Sequence, residues 1–465
     1  MAMGKRDTEQ QQDLFITHDK LPRSAGHVFY RKLNQLLAEG GFDPWIEALC
    51  EPHYCRGQGR PSVPPGTYFR MLLVGYFEGL NSQRGIAWRC SDSLSLREFL
   101  GIPLGEDSPD HSSLSYIRNR LPHSVHEAVF VWVLALAQEK KLLKGKTVAV
   151  DSTTLEANAA MKSIVRKDTG EDWNDYLAGL MQEAGLIGAG DNRPSDEELR
   201  KFDKARKNKT VSNDDWESPN DPDSRIARMK DGTTHLAYKA EHVVDLDTEM
   251  ILAAEIYPAN FHDTATLEDS LHQAQLNQQE AGSDEQIQDA VADKGYHAAQ
   301  TLTNLREHTP YRTYIPEPDR QHQCVWTGKP PEQRAAVVAN RRRTRGSRGR
   351  KLQRLRSERV ERSFAHVCET GGARRTWLTG IEKVRKRYLL SAAAHNLGVV
   401  MRSLFKMGTP RGLQQYKMDL EGAVSSLYLA WLAAARLWQL PSPFTLPPSA
   451  PCDARFQETH PTLAA

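Results

Sequence analysis

A chain of 465 residues is too long for one small domain, and 39% hydrophobic with 26% charged residues supplies cores while excluding wholesale disorder. Formal net charge is only +2, yet residues 318–390 hold 20 Lys and Arg against 6 Asp and Glu, so +14 is concentrated there and −12 is left elsewhere. Segregation on this scale points to one basic surface facing a polyanion. Six scattered cysteines make no disulfide framework and suit a reducing compartment. Cys50 and Cys55, with His53 between them, lack the second ligand pair that zinc needs. Met1–Asp13 is polar, which argues against a secretory leader. Ala423–Leu440 is interrupted by Ser425, Ser426, Arg436 and Gln439 and suits a buried or amphipathic helix better than a membrane span. A cytoplasmic protein without a membrane partner is expected.

In chain order, apolar spacing predicts helices over Ser24–Glu39, Tyr68–Leu80, Ser93–Leu100, His111–Leu121 and Val125–Glu139, with a three-proline loop at Arg60–Gly66. His111-Ser112-Ser113 supplies the cap signal for the fourth. The pattern then changes to strands. Thr147–Val150 is a β-type run ending in Asp151; Leu236–Val244 and Met250–Ile256 flank the turn Asp245–Thr248. Helix is expected over Asp263–Gln275 and His297–Glu307, strand over Ile287–Ala292 and Tyr311–Ile315, and helix again near Glu358. Three strands followed by alternating helices and strands indicate a mixed α/β sheet. Asp151 and Leu236 are separated by a polar stretch, least apolar over Asp191–Asp223, which reads as a partly flexible insertion. Pro330-Pro331 and the glycines of Arg345–Arg350 break any helix across Pro318–Lys351. The expected domains are a helical one at 15–135, an α/β one at 140–405 with the insertion at about 155–235, and a tail at 406–465 with a loose Pro-rich part at Pro441–Pro451.

Two predicted strands end in an aspartate, Asp151 and Asp293. Carboxylates at strand ends project from a rigid sheet into a crevice. A later helical segment, Glu358–Val367, offers a third carboxylate beside the most basic part of the chain. Hard divalent cations take oxygen ligands. Three carboxylates can hold two such ions, one activating an attacking oxygen and the other stabilising the leaving one. The strip Arg341, Arg342, Arg343, Arg345, Arg348, Arg350 and Lys351, with Arg354 and Arg362 beyond it, suits a phosphodiester backbone. Arg374 and Arg375, with Lys383, Arg385, Lys386 and Arg387, flank Trp377 and are read as DNA contacts rather than as a solvated face. Lys294 and Tyr296 fit either a phosphate contact or the turn at Gly295, and both readings stay open. Asp245 and Asp247 are read as turn residues, His262 and Asp263 as a helix start, and Asp289 as a strand-entry residue. Gly145-Lys146-Thr147 lacks the upstream glycine of a phosphate-binding loop, because Lys140 stands there, so no nucleotide cofactor is expected.

Thr147-Val-Ala-Val-Asp151-Ser-Thr, Val291-Ala-Asp293-Lys-Gly-Tyr296 and Arg359-Val-Glu361-Arg-Ser-Phe364 together resemble the three acidic motifs of bacterial insertion-sequence DDE transposases. Val63–Leu80, Ser91–Leu100 and Asp110–Arg118 resemble the helical N-terminal domain of one large group of them, so the resemblance covers about residues 15–405. It implies an RNase H-like catalytic core, two Mg²⁺ or Mn²⁺ ions, and cleavage and strand transfer at terminal inverted repeats. The implied partners are double-stranded DNA carrying those repeats, a target DNA, and a second protomer on DNA, at the nucleoid. Asp151, Asp293 and Glu361 fall on the family's catalytic, metal-holding positions, at spacings of 142 and then 68 positions. Many relatives carry Tyr seven before the Glu, Arg four before and Lys seven after. Around Glu361 these are Arg354, Ser357 and Cys368; Glu358 would place Arg354 correctly but put Lys351 and Ala365 at the other two positions. Glu361 is favoured by Val360 and Phe364 beside it, and Glu358 remains the alternative. A nuclease that cuts without joining and a catalytically inactive DNA-binding descendant are the rival functions.

Overall fold

Helices come first because early apolar residues recur at three- and four-residue steps. The computed structural model describes residues 20–55, 62–188, 193–205, 213–229, 232–318 and 328–410, with Thr17 and Trp326. Its opening helices are α1 (Ala25–Glu39), α2 (Phe42–Cys50), α3 (Pro65–Glu78), α4 (Gln83–Asp92), α5 (Leu94–Leu100), α6 (His111–Arg120) and α7 (His123–Glu139). Phe29, Tyr30, Phe42, Phe69 and Phe99 are buried between them. Neither α2 nor α4 is legible in the apolar spacing, since each carries a residue that usually breaks a helix. Pro44 lies in the first turn of α2, where a missing N–H is harmless. In α4 the N–H of Gly85 donates to the Ser82 cap at 3.1 Å. The cap of α6 is Asp110, one residue before the predicted signal; its carboxylate accepts from the His111 N–H at 2.6 Å.

Among the described residues, the remaining elements are β1 (Thr147–Glu156), β2 (Val165–Arg166), α8 (Trp173–Glu183), α9 (Asp196–Ala205), β3 (Trp216–Glu217), β4 (Arg225–Arg228), β5 (Thr234–Asp245), β6 (Ile251–Pro258), α10 (Asp263–Glu280), β7 (Asp289–Ala292), α11 (Ala299–His308), β8 (Arg312–Tyr314), α12 (Pro331–Arg345), α13 (Ser347–Phe364) and α14 (Ile381–Phe405). β5 runs antiparallel to β1 on one edge and to β6 and β4 on the other, while β7 and β8 add parallel strands beyond β1. A helical region followed by this mixed α/β sheet is the expected architecture, consistent with an RNase H-like core. Asp245 closes the β5–β6 turn by accepting the Asp247 N–H at 2.9 Å and the Thr248 hydroxyl at 2.7 Å, as turn chemistry requires. Gly346 separates α12 from α13, and Pro331 opens α12, as the breakers predict. α14 packs on α3 and α7 on one side and on β6 on the other, so the helical region and the sheet share it.

Two differences concern the sheet and the insertion. β1 does not stop at Asp151; pairing with the long β5 carries it on to Glu156. Among its described residues the insertion holds two helices and a small β2–β3 sheet, because Trp173 and Tyr176 each pack edge to face on Trp216 and give a polar segment its own apolar centre. The predicted Ala423–Leu440 helix and the Pro441–Pro451 stretch lie outside the described residues. No helix among the described residues is long and apolar enough to cross a membrane.

Candidate active site

Parallel pairing of β1 with β7 runs from Thr147↔Asp289 to Val150↔Ala292, and the next residues on the two strands are Asp151 and Asp293. Both acids therefore lie at one level on neighbouring strands, Asp293 just past the end of β7 and Asp151 where β1 runs on beside β5 alone. Burial pushes the Asp151 carboxyl above the usual carboxylate range; Arg356 opposes this and the negative charge of Asp293 adds to it. Asp151 accepts the Ser152 N–H at 2.8 Å through Oδ1 and the Arg356 guanidinium at 2.6 Å through Oδ2. Asp293 accepts the Gly295 N–H at 2.7 Å. A Cβ on Gly295 would lie 2.7 Å from Asp263 Oδ2 and 3.0 Å from Asp293 Oδ1, so two carboxylates converge on a backbone point that only glycine leaves open.

A buried network underlies the pair on the α10 side of the sheet. Glu241 on β5 is fully buried and accepts from Thr266 Oγ1 at 2.7 Å, Ser270 Oγ at 2.5 Å and Tyr296 OH at 2.8 Å. Lys239 bridges Glu241 at 3.1 Å and Asp263 at 2.8 Å, and Ser152 Oγ donates to Asp263 at 3.0 Å. Ser152 follows the first acid and Tyr296 lies three beyond the second, so one hydrogen-bonded unit supports both. Sequence reasoning missed this unit. His262 occupies the cap position of α10 and Asp263 its first turn, as read from the sequence, but the Asp263 carboxylate serves Lys239 and Ser152. Tyr296 is buried on Glu241, which removes the phosphate-contact reading for it; Lys294 is exposed.

On the opposite face lies α13. Gln353 Nε2 donates to Ala292 O at 3.1 Å and Tyr314 O at 2.6 Å, tying the helix to the ends of β7 and β8. His242, paired with Asp151 across β1 and β5, accepts or donates to Ser363 Oγ at 2.8 Å and stacks on Phe364 at 4.1 Å. Gln353, Arg356, Val360 and Ser363 thus form the inward face of α13 at three- and four-residue steps. Glu361 lies about 100° around the helix from Val360. It is exposed, and Glu358, exposed further round, pairs with Arg362 at 2.7 Å. Asp151 and Asp293 are brought together, but neither Glu joins them. Among the described residues no group of three or more His, Cys, Asp or Glu is placed to hold a metal ion. The two-aspartate donor set nevertheless has the chemistry for a hard cation, and Asp151 is already ion-paired with the Arg356 guanidinium at 2.6 Å.

The basic strip divides by environment. Arg341 pairs with Glu317 at 2.8 Å, and Arg343 donates to Thr313 O and Oγ1, both at 3.0 Å. Arg348 and Arg312 hold the buried Asp289 at 2.5 and 2.7 Å, so that acid is structural, in keeping with its strand-entry reading. Arg362 pairs with Glu249 at 2.5 Å, and Arg374 donates to Glu369, Thr153 and Thr154. Arg375 lies 4.8 Å over the Trp377 ring. Arg342, Arg345, Arg350, Lys351 and Arg354 are exposed on α12 and α13.

Two family models match the chain: a transposase domain (DUF772) over residues 16–120 and a transposase DDE domain over residues 202–397. Asp293 and Glu361 lie inside the second match, and Asp151 lies between the two. Nothing matched among curated proteins or among solved structures.

Proposed function

Because the chain belongs to the insertion-sequence DDE transposases, we propose that it cuts DNA at the terminal inverted repeats of its element and joins the ends to a target, with Asp151, Asp293 and Glu361 as the catalytic acids. The observation that carries this reading is the adjacency of Asp151 and Asp293 at one level of two parallel strands. Two Mg²⁺ ions, or Mn²⁺, would be held by these carboxylates and supply activation of the attacking oxygen and stabilisation of the leaving one. Asp151 and Asp293 bring the negative charge and the Lys239–Glu241–Asp263 unit keeps their strand ends rigid. For the three acids to hold the ions together, Arg356 would have to release Asp151 and Glu361 would have to turn toward the pair. Arg342, Arg350, Lys351 and Arg354 track the phosphodiester backbone. The helical region at about 15–135 recognises the repeat or joins two protomers, since pairing two ends takes a homodimer on DNA. The protein works in the cytoplasm at the nucleoid.

The Arg356–Asp151 ion pair favours one second reading, a transposase-derived protein that binds DNA without cutting it. Strand cleavage and joining on DNA carrying the flanking repeats, with Mg²⁺, for wild type and Asp293→Ala, separates the readings. Joining that the variant loses while it still binds DNA supports the transposase. Cleavage without joining indicates a nuclease, and binding with no cleavage under Mg²⁺ or Mn²⁺ indicates the inactive descendant.

A further inference from the structure

A second cationic centre lies away from the acid pair, where α3, α4 and α6 meet α14. There a cavity of about 400 Å³ is lined by Arg84, Arg118, Lys386 and Arg387, with no carboxylate among the described lining residues, and by His111, whose ring is paired with the Asp110 carboxylate at 2.5 Å. Lys386 is neutralised by Glu382 at 2.6 Å. The two arginines beside it have no ion pair among the described residues. Arg118 Nε is buried without a hydrogen-bond partner. Arg387 donates to the carbonyls of Gly372, at 2.8 Å, and Arg375, at 3.4 Å. Burial and the nearby Arg118 charge push the Arg387 guanidinium down to about 10. His126, in the same wall, is held down to about 3, chiefly by burial and then by the positive charges of Lys386, His123 and Arg118. Partly buried like charges without a counter-ion are costly, and a bound anion is the natural remedy.

We propose that this cavity takes a phosphate group of a nucleic-acid strand, held by Arg118 and Arg387 with the exposed Arg84 at its edge. Two features favour a nucleic acid over a small free anion. The remaining wall is apolar, with Tyr68, Leu72, Leu80 and Leu390, which a bare phosphate does not need. Trp377 also lines the cavity, is 46% exposed and carries Arg375 at 4.8 Å over its ring, a pairing that suits base stacking. The cavity is also within reach of DNA held at the acid pair. Glu156, five residues beyond Asp151 on β1, is bridged to Arg375, and a strand of that length spans about 16 Å, on the order of five base pairs.

The test uses the full chain in EDTA, so its outcome does not depend on whether the acid pair is catalytic. Thermal unfolding is followed with inorganic phosphate against chloride at matched ionic strength, for wild type, Arg118→Gln and Arg84→Gln. Affinities for a duplex and for a single-stranded oligonucleotide are then measured across a salt series. Phosphate should raise the wild-type midpoint and fail to raise that of Arg118→Gln. The slope of log affinity against log salt should fall by about 0.9 on duplex, or about 0.7 on single strand, for each lost phosphate contact. No phosphate effect on wild type overturns the site. A phosphate effect with unchanged slopes in both variants assigns it to a free anion and overturns the nucleic-acid assignment. Should Arg118→Gln fail to fold, Arg84→Gln, at an exposed position, decides by the same two readouts.

Discussion

Among the described residues Arg356 is the cation bonded to Asp151, and replacing it by Gln removes that bond. The two side chains are 13% and 23% exposed and meet at 2.6 Å, so the pair is shielded but not sealed. With charge centres about 4 Å apart, the attraction is about 4 kcal/mol at an effective dielectric of about 20. Desolvation of both groups offsets much of that in the intact pair. Removing one partner leaves Asp151 beside Asp293 with neither attraction nor neutralisation, and the net loss should be about 2 kcal/mol, below the 3–5 kcal/mol of a fully buried pair. Urea unfolding in EDTA measures it. In a parallel series without EDTA, titrated Mg²⁺ should stabilise the variant more than wild type, because no guanidinium has to leave. A difference of about 2 kcal/mol corresponds to at least tenfold in Mg²⁺ affinity. Arg354→Gln, two residues earlier and exposed, is the control and should unfold like wild type. The reasoning fails if Arg356→Gln matches wild type both in EDTA and in its response to Mg²⁺.

Two further outcomes follow from the same contacts. His126 and His395 are held down to about 3, mainly by burial, so the stability tied to their neutral forms is complete above pH 6.5 and drains away as pH falls toward 3; the loss is about 1.4 kcal/mol per pH unit for each. Urea unfolding at pH 7, 6 and 5 should show it, and a pH slope unchanged in His126→Gln would refute that assignment. In the basic strip, Arg354→Gln should lower the salt slope of DNA binding by about 0.9 without changing stability. Arg343→Gln, which loses both bonds to Thr313, should cost about 1–2 kcal/mol of stability and leave that slope alone, a contrast read by salt titration and urea unfolding together.

The strand-end acids were legible because Thr147–Val150 and Ile287–Ala292 are short apolar runs that each stop at an aspartate. The Asp245 turn and the break at Gly346 were legible for a similar reason: local chemistry decides them. What stayed hidden depends on partners distant in sequence. Lys239 and Glu241 sit in a strand pattern that allows polar residues outward, and only Thr266, Ser270 and Tyr296 make them interior. Asp263 carried a valid local reading at the start of α10, and nothing local discloses that its carboxylate reaches Lys239. Arg356 is one guanidinium in a run of them, and a charge run does not say which member turns inward. Its three- and four-residue steps to Gln353, Val360 and Ser363 become informative only once Gln353 is known to cap β7 and β8. The order within the insertion comes from aromatic residues some forty positions apart, Trp173 and Trp216.

Successive residues of a strand face opposite ways, and β1 uses this to put Asp151 under α13 and Ser152 under α10. Deleting a single residue from 147–150 would therefore turn the carboxylate toward α10 and a hydroxyl toward α13. A change of length is therefore disruptive in that short stretch and is better absorbed where no such parity applies. The segment after Glu156, which leaves the sheet and returns only at β4, is such a place, and it is where the chain carries its long excursion.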